Sequence, residues 1–358
     1  MIDSRLYYPI YFAIITVATV ILNSRSPFNK KKSWFIWAYI LCLFLVVFVG
    51  LRPYAYIFTD MSNYKEMWDR IAGATFIPTF RTTNIVFDNL FRLLASTNID
   101  IYVFFVLMAA IYFGCMLFAC KKIFSNSFFF SFVVSLAAFS TLSYGTNGIK
   151  AGAAASIFLL AIAYREKLGL SLIFSLLSYG FHHSMEVPII IFFVVHIIKQ
   201  PRYYFFLWGV CVLLALFHFT GAQELFATLG DEQGAYYMIA EEQYWVATNF
   251  RWDFVLYSCV PIVIGWIMVN IYKIRDKGYF IVLNTYTACN SFWLLCMYAE
   301  FTNRIAYLSW FLYPIVLIYP FLKVQYASGQ VRTAKIVSYL HLFFSLFMLF
   351  IYYGSLYR

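Results

Sequence analysis

Charge is what this chain has least of. Asp, Glu, Lys and Arg make up 12% of its 358 residues, while 63% are hydrophobic. A soluble domain carries about twice that charged fraction. Surface grows too fast with mass for one aqueous core to hide so much apolar side chain. The scarcity of charge therefore excludes a water-soluble globule and makes the bilayer the solvent for most of the chain. Acid is scarcer than base, 16 residues against 26, for a formal net charge of +10. Cysteine is present but unpatterned. Cys42, Cys115, Cys120, Cys211, Cys259, Cys289 and Cys296 all fall inside apolar runs. Cys115 and Cys120 have neither metal-site spacing nor His or carboxylate company. All are expected to be buried free thiols packing as small hydrophobes, with no disulfide framework. Walker, dinucleotide-fingerprint, HExxH and GxSxG motifs are missing, which leaves ATP-driven transport and standard hydrolase chemistry without support.

Long apolar runs take the place of charge. They recur at about 6–22, 34–51, 101–119, 127–142, 150–164, 203–219, 253–272, 279–298, 305–322 and 335–353, most of them near the length that crosses a hydrocarbon core as a helix. The first has no basic segment ahead of it and no small-residue cleavage site behind it, so it is expected to be a retained helix. Residues 168–198 form a longer run, with Phe181-His182-His183-Ser184 in its middle and Pro188 just beyond. That length fits two short helices meeting at a polar break, or one long broken helix. The expected fold class is an all-α polytopic integral membrane protein of about 11–12 spans, built as one transmembrane domain over residues 1–358.

Twelve spans make the loop charges alternate. Sixteen of the 26 basic residues then fall in short odd-numbered connections, among them Lys30, Lys31, Lys32, Lys121, Lys122, Lys273 and Arg275, accompanied only by Glu166 and Asp276. One face carries near +14 and the other near −4. Positive loops stay in the cytoplasm, which puts both termini outside. Two outer connections are long. Residues 52–100 include the amphipathic stretch Thr83 to Ala95, with Ile85, Val86, Phe87, Leu90, Phe91, Leu93 and Leu94 at near-helical spacing; an interfacial helix is expected there. Residues 220–252, rich in acids and aromatics, are expected to cap the same face.

The other polar residues crowd that outer face. Arg52, Arg251 and Arg304 border apolar spans where the positive-inside bias works against them. A planar guanidinium fork suits phosphate or carboxylate; the alternatives are snorkelling to headgroups or pairing with Asp253 and Glu300. His182, His183 and Glu186 stand at the break in the 168–198 run. His182 is a candidate general base, or else a hydrogen-bonded core residue. His183 reads as structural, because neighbouring rings on a helix point apart, which also disfavours a metal site. Asp60 and Tyr64 suit sugar hydroxyls or proton transfer, and Asp60 equally suits an N-cap. Lys150 opens a helix whose Ala151-Gly152-Ala153-Ala154-Ala155 allows close packing; at that position it is an anion contact or an ordinary interface lysine. Tyr236, Tyr237, Tyr244 and Trp245 lie among carboxylates in the cap, where flat rings suit carbohydrate or interfacial anchoring.

Taken together, these residues resemble a known family. Gly50-Leu51-Arg52 closing a span, then Asp60 and Asn63-Tyr64, resembles the opening of the EpsG/Wzy-like polysaccharide polymerases. Phe181-His182-His183-Ser184 is similar to their Phe-His-x-Ser signature. Phe250-Arg251-Trp252-Asp253-Phe254 and Asn303-Arg304-Ile305-Ala306-Tyr307, with Trp310 and Pro314, resemble their later motifs in the same order. Ile149-Lys150 stands where the family often has Arg-Gln, keeping the charge and losing the fork.

The resemblance implies a helical bundle of the lipid-sugar-dependent glycosyltransferase (GT-C) type with periplasmic loops, in a bacterial inner membrane. It implies transfer of a growing glycan from undecaprenyl pyrophosphate to a lipid-linked repeat unit at the periplasmic face. Arg52, Arg251, Arg304 and Lys150 would stabilise the departing pyrophosphate, without a metal or other cofactor. His182, or Asp60, would be the base. Tyr64, Glu186, Asp253 and the cap aromatics would hold sugar. The partners implied are the lipid-linked oligosaccharide, the bilayer and a chain-length regulator, with no nucleic acid. An O-antigen ligase using the same donor, a flippase and a sugar acyltransferase are the competing readings; a flippase needs polar residues through the full depth of a cavity, which the sequence does not offer.

Overall fold

Helix is the only regular secondary structure among the described residues of the computed structural model, which describes residues 2–25, 27, 32–221, 223, 249–299 and 301–353. Lipid offers no hydrogen bonds to an open backbone, so apolar segments must satisfy their own amides and carbonyls. Among the described residues, five stretches are long and apolar enough to cross a membrane unaided: Ser4–Asn23, Ile101–Leu136, Trp252–Asn270, Thr302–Lys323 and Gln330–Ile351. Trp34–Gly50, Ile149–Ala163, Leu168–Phe181, His183–Ile197 and Pro201–Leu216 are shorter apolar helices. The chain is an all-α, multi-pass membrane protein.

It divides into two compact units, Met1–Glu186 with Phe321–Arg358, and Val187–Pro320. The first contains α1 (Tyr7–Asn23), α2 (Lys32–Gly50), α3 (Thr59–Ile71), α4 (Ile85–Ser96), α5 (Ile101–Phe124), α6 (Phe128–Leu136), α7 (Phe139–Thr146), α8 (Ile149–Ala163) and α9 (Leu168–Phe181). Helix α5 packs against α2, α6 and α8, and α8 packs on its other side against α9. With 15 residues, α8 reaches only about 22 Å at 1.5 Å per residue. It is buried almost all round, which makes it the central post of the unit. Its small residues permit this. A Cβ on Gly152 would lie 2.7 Å from the Tyr144 carbonyl oxygen and 3.3 Å from the Tyr112 ring. Ser171 and Ser178 of α9 donate to the Ala161 and Ala154 carbonyls of α8 at 3.0 and 2.7 Å. Gly152→Leu is therefore expected to destabilise the protein by at least the 1–3 kcal/mol typical of overpacking, about that order, read as a lower unfolding temperature in detergent; Gly169→Leu, at a position with open space, should leave it unchanged.

The run at 127–142 is expected as one span, and the structure breaks it. Helix α6 ends at Leu136 and α7 begins at Phe139. A break inside an apolar bundle frees carbonyls that need other donors. Tyr11 OH donates to Leu136 O at 2.8 Å and Thr141 Oγ1 to Ser135 O at 2.7 Å. The first donor comes from a distant helix, so the break is in part a tertiary decision. At the other end of the chain α16 (Gln330–Tyr353) returns to pack on α1. There Asn23 Nδ2 donates to Ser338 Oγ at 2.8 Å.

The second unit holds α10 (Glu186–Ile197) after its first residue, α11 (Pro201–Leu216), α12 (Trp252–Asn270), α13 (Lys277–Leu295), α14 (Thr302–Trp310) and most of α15 (Tyr313–Lys323). Helix α13 is its hub, packed against α11, α12 and α14. Buried indole N–H groups need acceptors, and each finds one here. Trp208 Nε1 donates to Asn290 Oδ1 at 2.8 Å, Trp293 Nε1 to Thr302 Oγ1 at 2.9 Å, and Trp310 Nε1 to Ser258 Oγ at 2.8 Å. Asn290 Nδ2 donates onward to Ser309 Oγ at 3.1 Å. The Trp293–Thr302 bond fixes the start of α14, where Arg304 sits, and the Trp310–Ser258 bond ties the end of α14 to the second turn of α12.

Candidate functional site

In the first unit the site begins where α2 runs out. Gly50 lets α2 close on α5, since a Cβ there would lie 2.7 Å from the Val106 Cα. Two residues later the Arg52 guanidinium is 1% exposed. Its NH1 donates to Val49 O at 2.8 Å and its NH2 to Thr146 O at 2.7 Å. Phe58 and Phe105 rings lie 5.6 and 5.3 Å from its Cζ. Asn147 Nδ2 adds a bond to Ile57 O at 2.9 Å. Segment 52–58 is thus stitched to the α7–α8 junction. Burial pulls the Arg52 pKa down to about 10, against the opposing pull of Asp60, so the guanidinium stays charged at neutral pH.

Asp60 lies in the first turn of α3, one residue inside the helix whose N-cap is Phe58. The positive end of a helix favours a carboxylate there. Lys150 has the opposite situation, a cation in the first turn of α8. Asp88 and Asp60 act on it electrostatically, and its Nζ lies 5.3 Å from the Phe87 ring centroid. Phe87 is the shared wall of this neighbourhood. Tyr64 lies 5.8 Å from it and Phe181 lies 6.2 Å from it. Tyr64 also packs on Phe91 and Phe104 at 5.9 and 5.8 Å, which places its ring in an aromatic cap between α3, α4 and α5.

The expected helix at Thr83–Ala95 is found at Ile85–Ser96. It packs on α3 and α9, with Val86 filling the space left by Gly180, where a Cβ would come within 2.5 Å of Val86 Cγ2. This seats Asn84, the residue before α4, against the histidine break. Asn84 is 8% exposed, and its Oδ1 accepts the His183 N–H at 3.0 Å and faces His183 Nδ1 at 3.3 Å. Its own N–H donates to Thr82 Oγ1 at 3.3 Å, and Thr82 Oγ1 bonds to Asp88.

The break itself falls at His182, whose φ of −151° and ψ of 117° are extended rather than helical. A helical pair of neighbours is expected to point its rings apart; the extended backbone instead stacks His182 on His183, with centroids 5.2 Å apart and planes 21° from parallel. His182 Nδ1 accepts the Ser184 N–H at 3.2 Å and lies 2.8 Å from Ser184 Oγ, so it caps the short turn His183–Met185. Glu186 is exposed in the first turn of α10. Among the described residues no group of three His, Cys, Asp or Glu is placed to hold a metal ion.

The second unit presents two arginines on aromatic supports. Arg251 precedes α12, and its fork grips Asp253, Nε to Oδ1 at 2.9 Å and NH2 to Oδ2 at 2.7 Å. Its Cζ lies 3.7 Å from the Phe254 ring centroid. Phe254 in turn packs on Trp310 at 4.8 Å and Trp293 at 6.0 Å. Arg304 is exposed in the first turn of α14, with its Cζ 4.6 Å from the Phe301 ring. Phe301 has a φ of +51°, an uncommon conformation for a non-glycine residue that recurs at functional sites.

The structure therefore gathers Arg52, Asp60, Tyr64, Lys150, His182 and His183 in one neighbourhood of the first unit, and Arg251, Asp253 and Arg304 at the ends of α12 and α14 in the second. Tyr236, Tyr237, Tyr244, Trp245 and Glu300 lie outside the described residues. Sequence reasoning missed Asn84, Phe87 and Asp88. The only signal for them was their place on and just before an amphipathic stretch, which says nothing about what its polar residues meet. No curated protein and no solved structure matches the chain. A family model does match, over residues 35–357. With that match covering nearly the whole chain and both arginine-bearing and histidine-bearing motifs, the protein belongs to the EpsG family, of the Wzy-like polysaccharide-polymerase type.

Proposed function

We propose that the protein extends a surface polysaccharide by transferring a growing glycan from undecaprenyl pyrophosphate to a lipid-linked repeat unit, on the periplasmic side of a bacterial inner membrane. The match to the EpsG family over residues 35–357 carries this reading. The geometry of the residues supports it. Departure of a pyrophosphate develops concentrated negative charge, which preorganised cations stabilise. Arg251 and Arg304, held at helix starts on aromatic rings, and Lys150, held over Phe87, are cations of that kind. Within the first unit, Arg52 fixes the loop that leads to Asp60. An acceptor hydroxyl needs a proton acceptor, and the His182–His183 pair and Asp60 are the groups available in the first unit. Tyr64, Glu186 and the aromatics at 236–245 are the residues assigned to sugar, while Asp253 holds the Arg251 fork until donor binds.

Purified protein in detergent, given undecaprenyl-pyrophosphate-linked repeat unit, is expected to produce a ladder of products on a gel. The ladder should survive EDTA, since the cations above replace a metal at the leaving group. Failure to elongate an intact, authentic substrate would rule out the polymerase reading. A ladder abolished by EDTA and restored by a divalent ion would overturn the metal-independent mechanism.

A further inference from the structure

We propose that the strap from Gly73 to Thr82 and the outward side of α4 together form a seat in the headgroup layer of the bilayer, one that takes anionic phospholipid. Residues 52–100 join the end of α2 to the start of α5, two apolar helices that pack together. They therefore lie at one end of these helices, at the level where hydrocarbon gives way to headgroups. Three ties lay the strap back along α4. Near the end of the helix, the Gly73 N–H donates to Ala95 O at 3.0 Å, and Gly73 turns the chain with a φ of +73°. In the middle, Asn89 grips the backbone of Thr79 twice, its Oδ1 accepting the Thr79 N–H and its Nδ2 donating to Thr79 O, both at 2.8 Å. Near the start of the helix, Thr82 Oγ1 bonds to Asp88.

Held this way, the strap presents its large apolar side chains instead of burying them. Ile77 is 70% exposed and Phe80 is 79% exposed. On α4, Phe87, Phe91 and Ala95 face the protein, which leaves Ile85 and Leu93 exposed on the outward side. Such a patch is costly in water. In the headgroup layer the four side chains reach the acyl boundary, while the open backbone of the strap stays hydrated.

Charge identifies the lipid. Arg81 follows Phe80 and Arg92 precedes Leu93, and both arginines are exposed. Neither has an ion-pair or hydrogen-bond partner among the described residues. The only acid between Gly73 and Ser96 is Asp88, and Thr82 engages it. Apolar side chains that enter the acyl boundary beside two such cations fit phospholipid with net negative headgroups. On its inward side the same helix sets Phe87 against Lys150, so the seat fixes how deep that cation lies relative to the lipid phosphates.

The test uses the full chain with Cys115 and Cys259, the two half-buried cysteines, replaced by alanine. Ile77→Cys, Phe80→Cys and Glu66→Cys each receive a nitroxide label, and each protein is reconstituted in vesicles of phosphatidylethanolamine with phosphatidylglycerol. Power-saturation EPR compares collisions with oxygen, which concentrates among acyl chains, and with a nickel chelate, which stays in water. Oxygen is expected to dominate at 77 and 80, and nickel at 66 on the charged surface of α3. Dominant nickel at 77 and 80 overturns the proposal. Low collision rates with both reagents overturn it too, because a protein surface would then cover the strap.

A change of lipid tests the charge. With phosphatidylcholine in place of phosphatidylglycerol, the labels at 77 and 80 should shift toward nickel. Arg81→Gln with Arg92→Gln, both at exposed positions, should produce the same shift in phosphatidylglycerol and no further shift in phosphatidylcholine. Equal readings in the two lipids, or a double variant that reads as the parent does in phosphatidylglycerol, overturn the assignment to anionic phospholipid.

Discussion

Arg251→Ala is expected to lower kcat/KM for glycan elongation by about 100- to 1,000-fold, the loss seen when one preorganised donor to a developing oxyanion is removed. The side chain is held before any substrate arrives. Its fork lies on both carboxylate oxygens of Asp253 at 2.9 and 2.7 Å, and its flat face lies over Phe254. A guanidinium so placed can exchange one bidentate partner for another of similar bite, and a phosphate has that bite. Arg251→Lys should recover little, because an ammonium has neither the fork nor the flat face. Asp253→Asn provides the contrast. It removes the competing charge and keeps the shape, so KM for the lipid-linked donor should fall or hold while kcat stays within a few-fold. Steady-state kcat and KM on the three variants test this. An Arg251→Ala protein with wild-type kcat/KM would show that the pair is a structural clasp at the start of α12.

Much of the fold could be read from the sequence, for a physical reason. Lipid rewards only closed backbone hydrogen bonding, so an apolar run near spanning length has one outcome. The run at 6–22 predicts a helix, and α1 lies at Tyr7–Asn23; the run at 253–272 predicts another, and α12 lies at Trp252–Asn270. The polar break at His182 could be read because Phe181-His182-His183-Ser184 interrupts an apolar run too long for one span. What could not be read depends on partners far away in sequence. The break at Ala137–Ala138 leaves the Leu136 carbonyl to Tyr11, 125 positions earlier. The parallel stacking of the two histidines follows from an extended residue whose neighbour is bonded to Asn84, 99 positions earlier. Charge in the sequence flagged Arg52, Arg251 and Arg304 alike, yet it gave no burial. Arg52 turns out fully enclosed while Arg304 is exposed, and that difference separates a brace from a ligand.

Arg52→Met is accordingly expected to act on stability before it acts on catalysis. The arginine is 1% exposed, and two of its nitrogens satisfy the carbonyls of Val49 and Thr146. Methionine fills part of the volume and leaves both carbonyls buried without those donors, each costing on the order of 1–3 kcal/mol. It also removes the cation that acts on Asp60, a half-buried carboxylate. The sum is a large share of the roughly 5–15 kcal/mol that holds a domain together. Arg52→Met protein should therefore unfold at a clearly lower temperature in detergent and accumulate poorly in membranes. Arg52→Lys should fall between, because one ammonium can reach one of the two carbonyls. Asp60→Asn, at the less buried end of the pair, should fold normally, which separates a charge effect from a loss of the brace. If instead Arg52→Met keeps the wild-type unfolding temperature and loses elongation, the guanidinium meets the donor's pyrophosphate directly, and the segment from 52 to 58 moves to let it in.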